Sequence, residues 1–215
     1  MMDRNIPDAT VARLPVYFRA LVDLDRDGTA TASSQELARR SGVNAAKVRK
    51  DLSYLGSFGT RGVGYDVQYL LFEMSRQLGL ASERPVIIAG AGNLGRALAK
   101  YRGFADRGFP VVALVDVDEA KVGGHVGGIQ VHSLDDLVTL VRGHTGCIGV
   151  LATPSEVASE VAGRFVKAGV RSLLNFAPAI VDVPAGVTVR QVDLALELQI
   201  LSFYAQRHDL SAAAS

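Results

Sequence analysis

A chain of 215 residues with 48% hydrophobic side chains, 21% charged ones and a formal net charge of +1 is long enough for one large or two small packed domains, which excludes a fibrous or disordered polymer. Its lone cysteine, Cys147 in the apolar run CIGVLAT, excludes an internal disulfide and fits a reducing cytoplasm, with core packing as its expected role. No charged-then-apolar leader and no run of about 18 apolar residues occurs, so neither secretion nor a membrane span is expected, and the protein reads as soluble and cytoplasmic.

Charge is spread unevenly along the chain. Residues 1–65 hold 10 Lys or Arg against 7 Asp or Glu, and the remainder holds 13 against 15. Between Arg39 and Arg61, six basic residues (Arg39, Arg40, Lys47, Arg49, Lys50 and Arg61) face one acid, Asp51. Such a run taken alone describes a solvated face; the elements around it give it another meaning. Val11, Leu14, Phe18 and Leu21 recur at helical spacing, with Pro15 placed to start or kink the helix. Asp23, Asp25, Asp27 and Gly28 imitate the opening of a calcium loop. Ser34, however, stands where that loop needs its bidentate glutamate, so the reading is a polar helix end and turn. Ser33-Ser34-Gln35-Glu36 resembles a capping box and starts a helix through Leu37 and Ala38 that ends at Ser41-Gly42. Asn44 is a good N-cap for the next helix, and Val43 and Val48 are placed as a hydrophobic staple across it. That helix puts Val48, Leu52 and Leu55 on one face and leaves Lys47, Lys50 and Tyr54 on another, with Arg49 at the flank.

Two helices joined by a short turn, the second amphipathic and basic outside, make a helix-turn-helix. The second helix fits a major groove, and Ala46, Lys47, Arg49, Lys50 and Tyr54 are the candidate DNA contacts. The segment GSFGTRGVGY, residues 56–65, follows directly. A hairpin tip with Arg61 between Gly59 and Gly62 suits a minor groove, whose negative potential attracts arginine, so Arg61 and Gly62 join the candidates. The whole reads as an N-terminal winged helix-turn-helix domain over residues 1–80.

A differently built segment begins at PVIIAGAGNLGRALAKY, residues 85–101. Val86, Ile87, Ile88 and Ala89 form an unbroken apolar run, as in a parallel strand buried on both faces, and it enters Gly90, Gly92 and Gly95 just before a helix. In a dinucleotide fold the three glycines serve the tight turn, the approach to the pyrophosphate and the close helix packing. Gly90, Ala91, Gly92, Asn93, Leu94 and Gly95 are therefore the candidate phosphate cradle. The next apolar run, VVALVDVD, contains Asp116, placed to accept hydrogen bonds from the adenosine ribose and to repel a 2′-phosphate, which favours NAD(H) over NADP(H). Asp118 is a second candidate, more simply a turn acid near Lys121. Thr153-Pro154-Ser155 and Asn175-Phe176-Ala177-Pro178 each follow an apolar run, at strand ends where open α/β sheets bind ligands. Thr153, Pro154, Asn175, Phe176 and Ala177 are the expected nicotinamide side. An apolar pocket there would prefer the neutral reduced ring over the cationic oxidised one. This segment reads as a Rossmann NAD(H)-binding domain, a doubly wound parallel sheet, over residues 85–190.

Residues 192–208, VDLALELQILSFYAQRH, place Leu194, Leu198 and Leu201 on one side of a helix and Leu196, Ile200, Phe203 and Tyr204 on others. A helix apolar over most of its circumference must be covered on more than one side, which suits a C-terminal dimerisation helix over residues 191–208, with burial in its own subunit as the alternative. Alternation over 194–200 also permits a strand. His125, His132, His144 and His208 are scattered and nominate neither a catalytic nor a metal site.

The stretches VRKDLSYLGSFGTRGVGYDV (residues 48–67), GAGNLGRAL (90–98) and LLNFAP (173–178), in this order, resemble the Rex family of bacterial redox-sensing transcriptional repressors. The resemblance implies a winged helix, a Rossmann domain and a C-terminal domain-swapped helix exchanged within a homodimer. It also implies repression of double-stranded operator DNA with release by NADH, NAD+ being the opposing ligand. It further implies a switch contact among Arg19, Tyr101 and Asp193. The rival readings are a small NAD-dependent oxidoreductase carrying a DNA-targeting module, and a nucleoid protein indifferent to cofactor. An enzyme is not expected, because little chain remains after the Rossmann segment to build a substrate site with a proton donor.

Overall fold

The computed structural model describes residues 6–56, 58–60 and 63–213. The chain divides into two units, Met1–Ser82 and Glu83–Ser215.

In the first unit α1 (Asp8–Val11) is a single turn followed by α2 (Leu14–Arg26), with Pro15 in the first turn of α2, where its missing N–H costs nothing. The stripe expected across this region is therefore interrupted. Val11 lies exposed on α1, and Tyr17, which the spacing did not single out, is fully buried with Leu14, Leu21 and Leu24. The strand β1 (Thr31–Ala32) leads into α3 (Ser34–Ser41) and α4 (Ala45–Leu55), and β2 (Gly59–Thr60) and β3 (Gly64–Asp66) form the hairpin. β3 pairs antiparallel with β2 on one side and β1 on the other. Asp66 then caps α5 (Val67–Gln77), accepting from the Tyr69 amide at 2.8 Å. Val67, Leu70 and Met74 of α5 join Leu37, Val48, Leu52 and the α2 leucines in one core.

The second unit is a sheet in the order β10-β9-β8-β4-β5-β7-β6. Its strands are β4 (Val86–Ala89), β5 (Val111–Asp116), β6 (His125–Val126), β7 (Ile129–Ser133), β8 (Ile148–Leu151), β9 (Ser172–Asn175) and β10 (Thr188–Gln191). All pairings are parallel except the β6–β7 hairpin. The helices are α6 (Asn93–Ala99), α7 (Arg102–Ala105), α8 (Leu137–Gly143), α9 (Ser155–Ala168) and α10 (Leu194–Ala213). Alternate residues of the central strand serve opposite cores. Ile87 and Ala89 pack with Leu137, Val141, Val161 and Phe165 of α8 and α9, whereas Val86 and Ile88 pack with Leu98 of α6 and with Phe109. Strand order reverses at β4, which places a crevice between the carboxyl ends of β4 and β8. Cys147 is buried in the α8–α9 core. Among the described residues no helix is long and apolar enough to cross a membrane.

Candidate functional site

The first site is the face of α4. The Ser33 side chain caps α3 by accepting from the Glu36 amide at 3.1 Å, and Gly42 in the left-handed region ends it. The reciprocal half of the expected capping box does not form. The Glu36 carboxylate instead holds Arg39 at 2.6 Å and Arg40 at 2.8 Å, and Arg40 also reaches Asp27 at 2.8 Å. Two of the six basic residues counted in the sequence are thus neutralised by acids outside that window. Asn44 caps α4, accepting from the Lys47 amide at 2.8 Å. Val48 and Leu52 are buried, Leu55 and Tyr54 are half-buried, and Ala46, Lys47, Arg49 and Lys50 are exposed. Arg49 donates to Ser34 Oγ at 2.9 Å, while Lys47 and Lys50 make no ion pair among the described residues. The hairpin beside them is anchored by buried Tyr65, and Phe58 meets Tyr69 edge-on at 5.8 Å. Arg61 and Gly62, the expected hairpin tip, lie outside the described residues.

Asp51 is not the solvated acid that its place in the basic run suggested. It is buried, and accepts from Thr10, Arg13 and Tyr17. Burial pushes its carboxyl up, but the hydrogen bonds from Arg13, Tyr17 and Thr10 outweigh this and hold it below the ordinary aspartate range. The stripe Val48, Leu52, Leu55 includes the position of Asp51 and so sets it on the buried face, but nothing local in the sequence points to its donors.

The second site lies at the carboxyl ends of the central strands. Gly90 has φ 101°, and a Cβ there would run into the Ala152 carbonyl. A Cβ at Gly95 would run into the Gly90 carbonyl, so α6 can pack against the turn only with glycine at 95. Gly92 differs: nothing lies within 4 Å of where its Cβ would be. Asn93 and Leu94 are exposed beside it and Ala91 is buried. Asp116, at the end of β5, is 9% exposed. Its Oδ2 accepts from the Ala91 amide at 2.7 Å and from Lys121 Nζ at 3.3 Å, and its Oδ1 from the Asp118 amide at 2.9 Å. Burial alone would raise its pKa, but these donors hold the carboxyl below its ordinary range. One acceptor position remains on Oδ1. Asp118 accepts from Lys121 at 3.3 Å and from the Ala120 amide at 3.0 Å, as a turn acid does.

Thr153 follows β8, and its buried Oγ1 has no hydrogen-bond partner among the described residues. A buried hydroxyl in that state needs a polar partner, which a water or a ligand can supply. Pro154 is exposed and precedes α9. Asn175 is fully buried and committed to the protein: its Nδ2 donates to Ala179 O at 2.9 Å and Gln191 Oε1 at 2.7 Å, and its Oδ1 accepts from the Ala177 amide at 2.9 Å. Its side chain therefore shapes the loop that presents half-buried Phe176 and buried Ala177. Open space at Gly92, an ionised acid with a free acceptor position and an orphaned hydroxyl together fit a dinucleotide.

Of the switch trio, Arg19 is exposed on α2, and Tyr101 is exposed and meets Phe104 edge-on at 5.2 Å. Asp193 caps α10, accepting from the amides of Ala195 at 2.9 Å and Leu196 at 3.2 Å. Residues 194–200 are helical, which removes the strand alternative. Along α10, Leu194, Leu196, Leu198, Ile200, Leu201, Phe203 and Tyr204 are all exposed in the single chain.

Residues 5–53 match the family model described as putative DNA-binding protein N-terminus, and residues 81–179 match the CoA binding domain model. A redox-sensing transcriptional repressor Rex of Streptomyces avermitilis is 58% identical over 204 residues, covering 95% of this chain and 81% of the relative. The crystal structure of RSP in complex with beta-NAD+ and operator DNA superposes with a TM-score of 0.88 at 32% identity, over 97% of this chain and 96% of that one. RSP in complex with beta-NADH gives 0.85 at 30% identity, over 98% and 99%.

Proposed function

This chain belongs to the Rex family of redox-sensing transcriptional repressors, and from that premise we propose that it binds operator DNA as a homodimer in the cytoplasm and is released by NADH. It is a repressor and not an enzyme: its relatives are named as repressors, although the second unit has the sheet order of nicotinamide dehydrogenases. Its ligands are NADH and NAD+, as the complexes of RSP support.

The observation that carries the reading is the pairing, in one chain, of a capped helix whose lysines have no acid partner among the described residues and an open glycine cradle beside an ionised acid. Lys47 and Lys50 would attract phosphates, Ala46, Arg49 and Tyr54 would face base edges, and Arg61 and Gly62 would enter the minor groove. Gly90, Gly92 and Gly95, with Ala91, Asn93 and Leu94, would hold the pyrophosphate. Asp116 would accept one ribose hydroxyl, and Thr153 would give its orphaned hydroxyl to the nicotinamide side between Pro154, Phe176 and the Asn175–Ala177 loop. When bound, the dinucleotide supplies a difference in ring charge between its two oxidation states, and an apolar surface favours the neutral one. Arg19, Tyr101 and Asp193 are proposed as the contact that couples the units, and α10 as the helix exchanged between subunits.

A duplex enriched by the full chain from random-sequence DNA, titrated at fixed salt with NADH and NAD+ varied independently, tests this. Release by NADH at concentrations where NAD+ leaves the complex intact is expected; a DNA affinity indifferent to NADH would overturn it.

A further inference from the structure

The basic helix α4 carries an ionised acid on its buried side. Asp51 is 2% exposed, and every acceptor position of its carboxylate is filled. Oδ1 accepts from Thr10 Oγ1 at 2.9 Å and Arg13 Nη2 at 2.7 Å, and Oδ2 accepts from Arg13 Nε at 2.6 Å and Tyr17 OH at 2.7 Å. The donors belong to α1, to the junction after it and to α2. The other buried anchors of α4 are apolar, chiefly Val48 and Leu52, and the bond from Arg49 to Ser34 Oγ is an exposed one. Apolar contact is non-directional, so by itself it lets a helix turn or slide against its neighbour at modest cost. A planar guanidinium forked onto a carboxylate does not, because both bonds hold in only one orientation. Such a pair is also a poor device for stability alone, since desolvating both charges offsets most of their attraction, and fixing register is its best-attested use.

We propose that Asp51 is a positioning residue for operator recognition: its bonds to Arg13, Tyr17 and Thr10 fix the rotation and axial setting of α4, so that Ala46, Lys47, Lys50 and Tyr54 meet the groove in one register. Lys47 and Lys50 precede Asp51 on the same helix and Tyr54 follows it, so any turn of α4 that breaks the clamp displaces all of them together. The role rests on the reading of α4 as the DNA-contacting helix. It goes further in making sequence selectivity, rather than affinity for DNA in general, depend on a residue that touches no DNA.

The test compares the full-length wild type with Asp51→Asn, Tyr17→Phe and Thr10→Val, well below each unfolding midpoint. The probes are a duplex enriched by the wild type from a random pool and an unselected duplex. In Asp51→Asn, affinity for the enriched duplex falls about tenfold or more, the scale of one misplaced base contact. Affinity for the unselected duplex and its salt slope stay within about twofold, because attraction to phosphates needs charge and not register. Tyr17→Phe keeps its ring in the core and shifts selectivity in the same direction by less, and Thr10→Val does likewise. These two carry the test if Asp51→Asn does not fold. Unchanged selectivity in the folded variants would overturn the proposal, as would an equal loss on both duplexes. A wild type that enriches no sequence would contradict the reading of α4 itself, and would do so before any variant is made.

Discussion

Asp116 shows how one carboxylate can be both structural and available. Three donors depress its pKa and keep it charged at neutral pH, yet one position on Oδ1 is left to accept from a ligand hydroxyl. Replacing Asp116 with Ala removes that acceptor and leaves Lys121 facing Asp118 alone. NADH affinity is then expected to fall about tenfold or more, the scale of a hydrogen bond to a charged group, and the preference over NADPH to narrow. Parallel fluorescence titrations of the two cofactors check it, and unchanged affinity for both would remove the ribose role. Gly92 and Gly95 separate ligand space from packing space. Gly92 has φ −79°, open to any residue, and among the described residues nothing beyond its chain neighbours lies within 4 Å of where its Cβ would be, so Gly92→Ala is expected to fold with its unfolding midpoint unchanged but to bind NADH more weakly. Gly95→Ala must displace the Gly90 carbonyl and lowers the midpoint as well. Thermal unfolding alongside NADH titration distinguishes the two, and equal behaviour would contradict the division. The glycine spacing and Asp116 were legible in the sequence because both are local patterns. The Asp51 clamp was not, because its donors lie 34 to 41 residues away and the acid was counted by its neighbours in sequence.

Among elements, α3 and α4 were legible from their caps. Ser33, Gly42 and Asn44 set the ends where the sequence placed them, since capping is chemistry within one turn. What the sequence misjudged was the charge each face presents. Arg39 and Arg40 are tied to Glu36 and Asp27, which leaves Lys47 and Lys50 on α4 without an acid partner among the described residues. Lys47→Ala is accordingly expected to reduce the salt slope of DNA binding by about one unit, whereas Arg39→Ala leaves it nearly unchanged. Affinity measured across a salt series decides, and an equal effect of the two would contradict the pairing seen at Glu36. At the other end of the chain, α10 exposes apolar side chains around its circumference, a surface larger than one turn of solvated helix explains. Leu198→Lys with Leu201→Lys is expected to convert a dimer to a monomer in light scattering while the unit that binds NADH stays folded. A doubly substituted chain that remains dimeric would assign the interface elsewhere. Amphipathic pattern distinguishes helix from strand poorly over a short run, which is why residues 194–200 allowed both until α10 was seen as one helix.

For the whole molecule, the account requires two ligands to compete through a protein rather than for a surface. The residues proposed to contact DNA belong to the first unit and the proposed dinucleotide cradle to the second, so no ligand atom need be shared. Coupling then depends on the dimer having arrangements to which NADH and operator bind with different affinity, and by linkage each must weaken the other by the same factor. The sequence resemblance reached this level only through the family, because nothing in periodicity or spacing encodes a difference between two states. The direct measurement is the affinity of the wild-type dimer for NADH, free and again with the enriched duplex at saturation, set against its affinity for that duplex with and without saturating NADH. The account predicts equal factors in both directions, about 5- to 150-fold if the coupling is of ordinary allosteric size. A dimer that holds NADH and the duplex together at full affinity for each would contradict it.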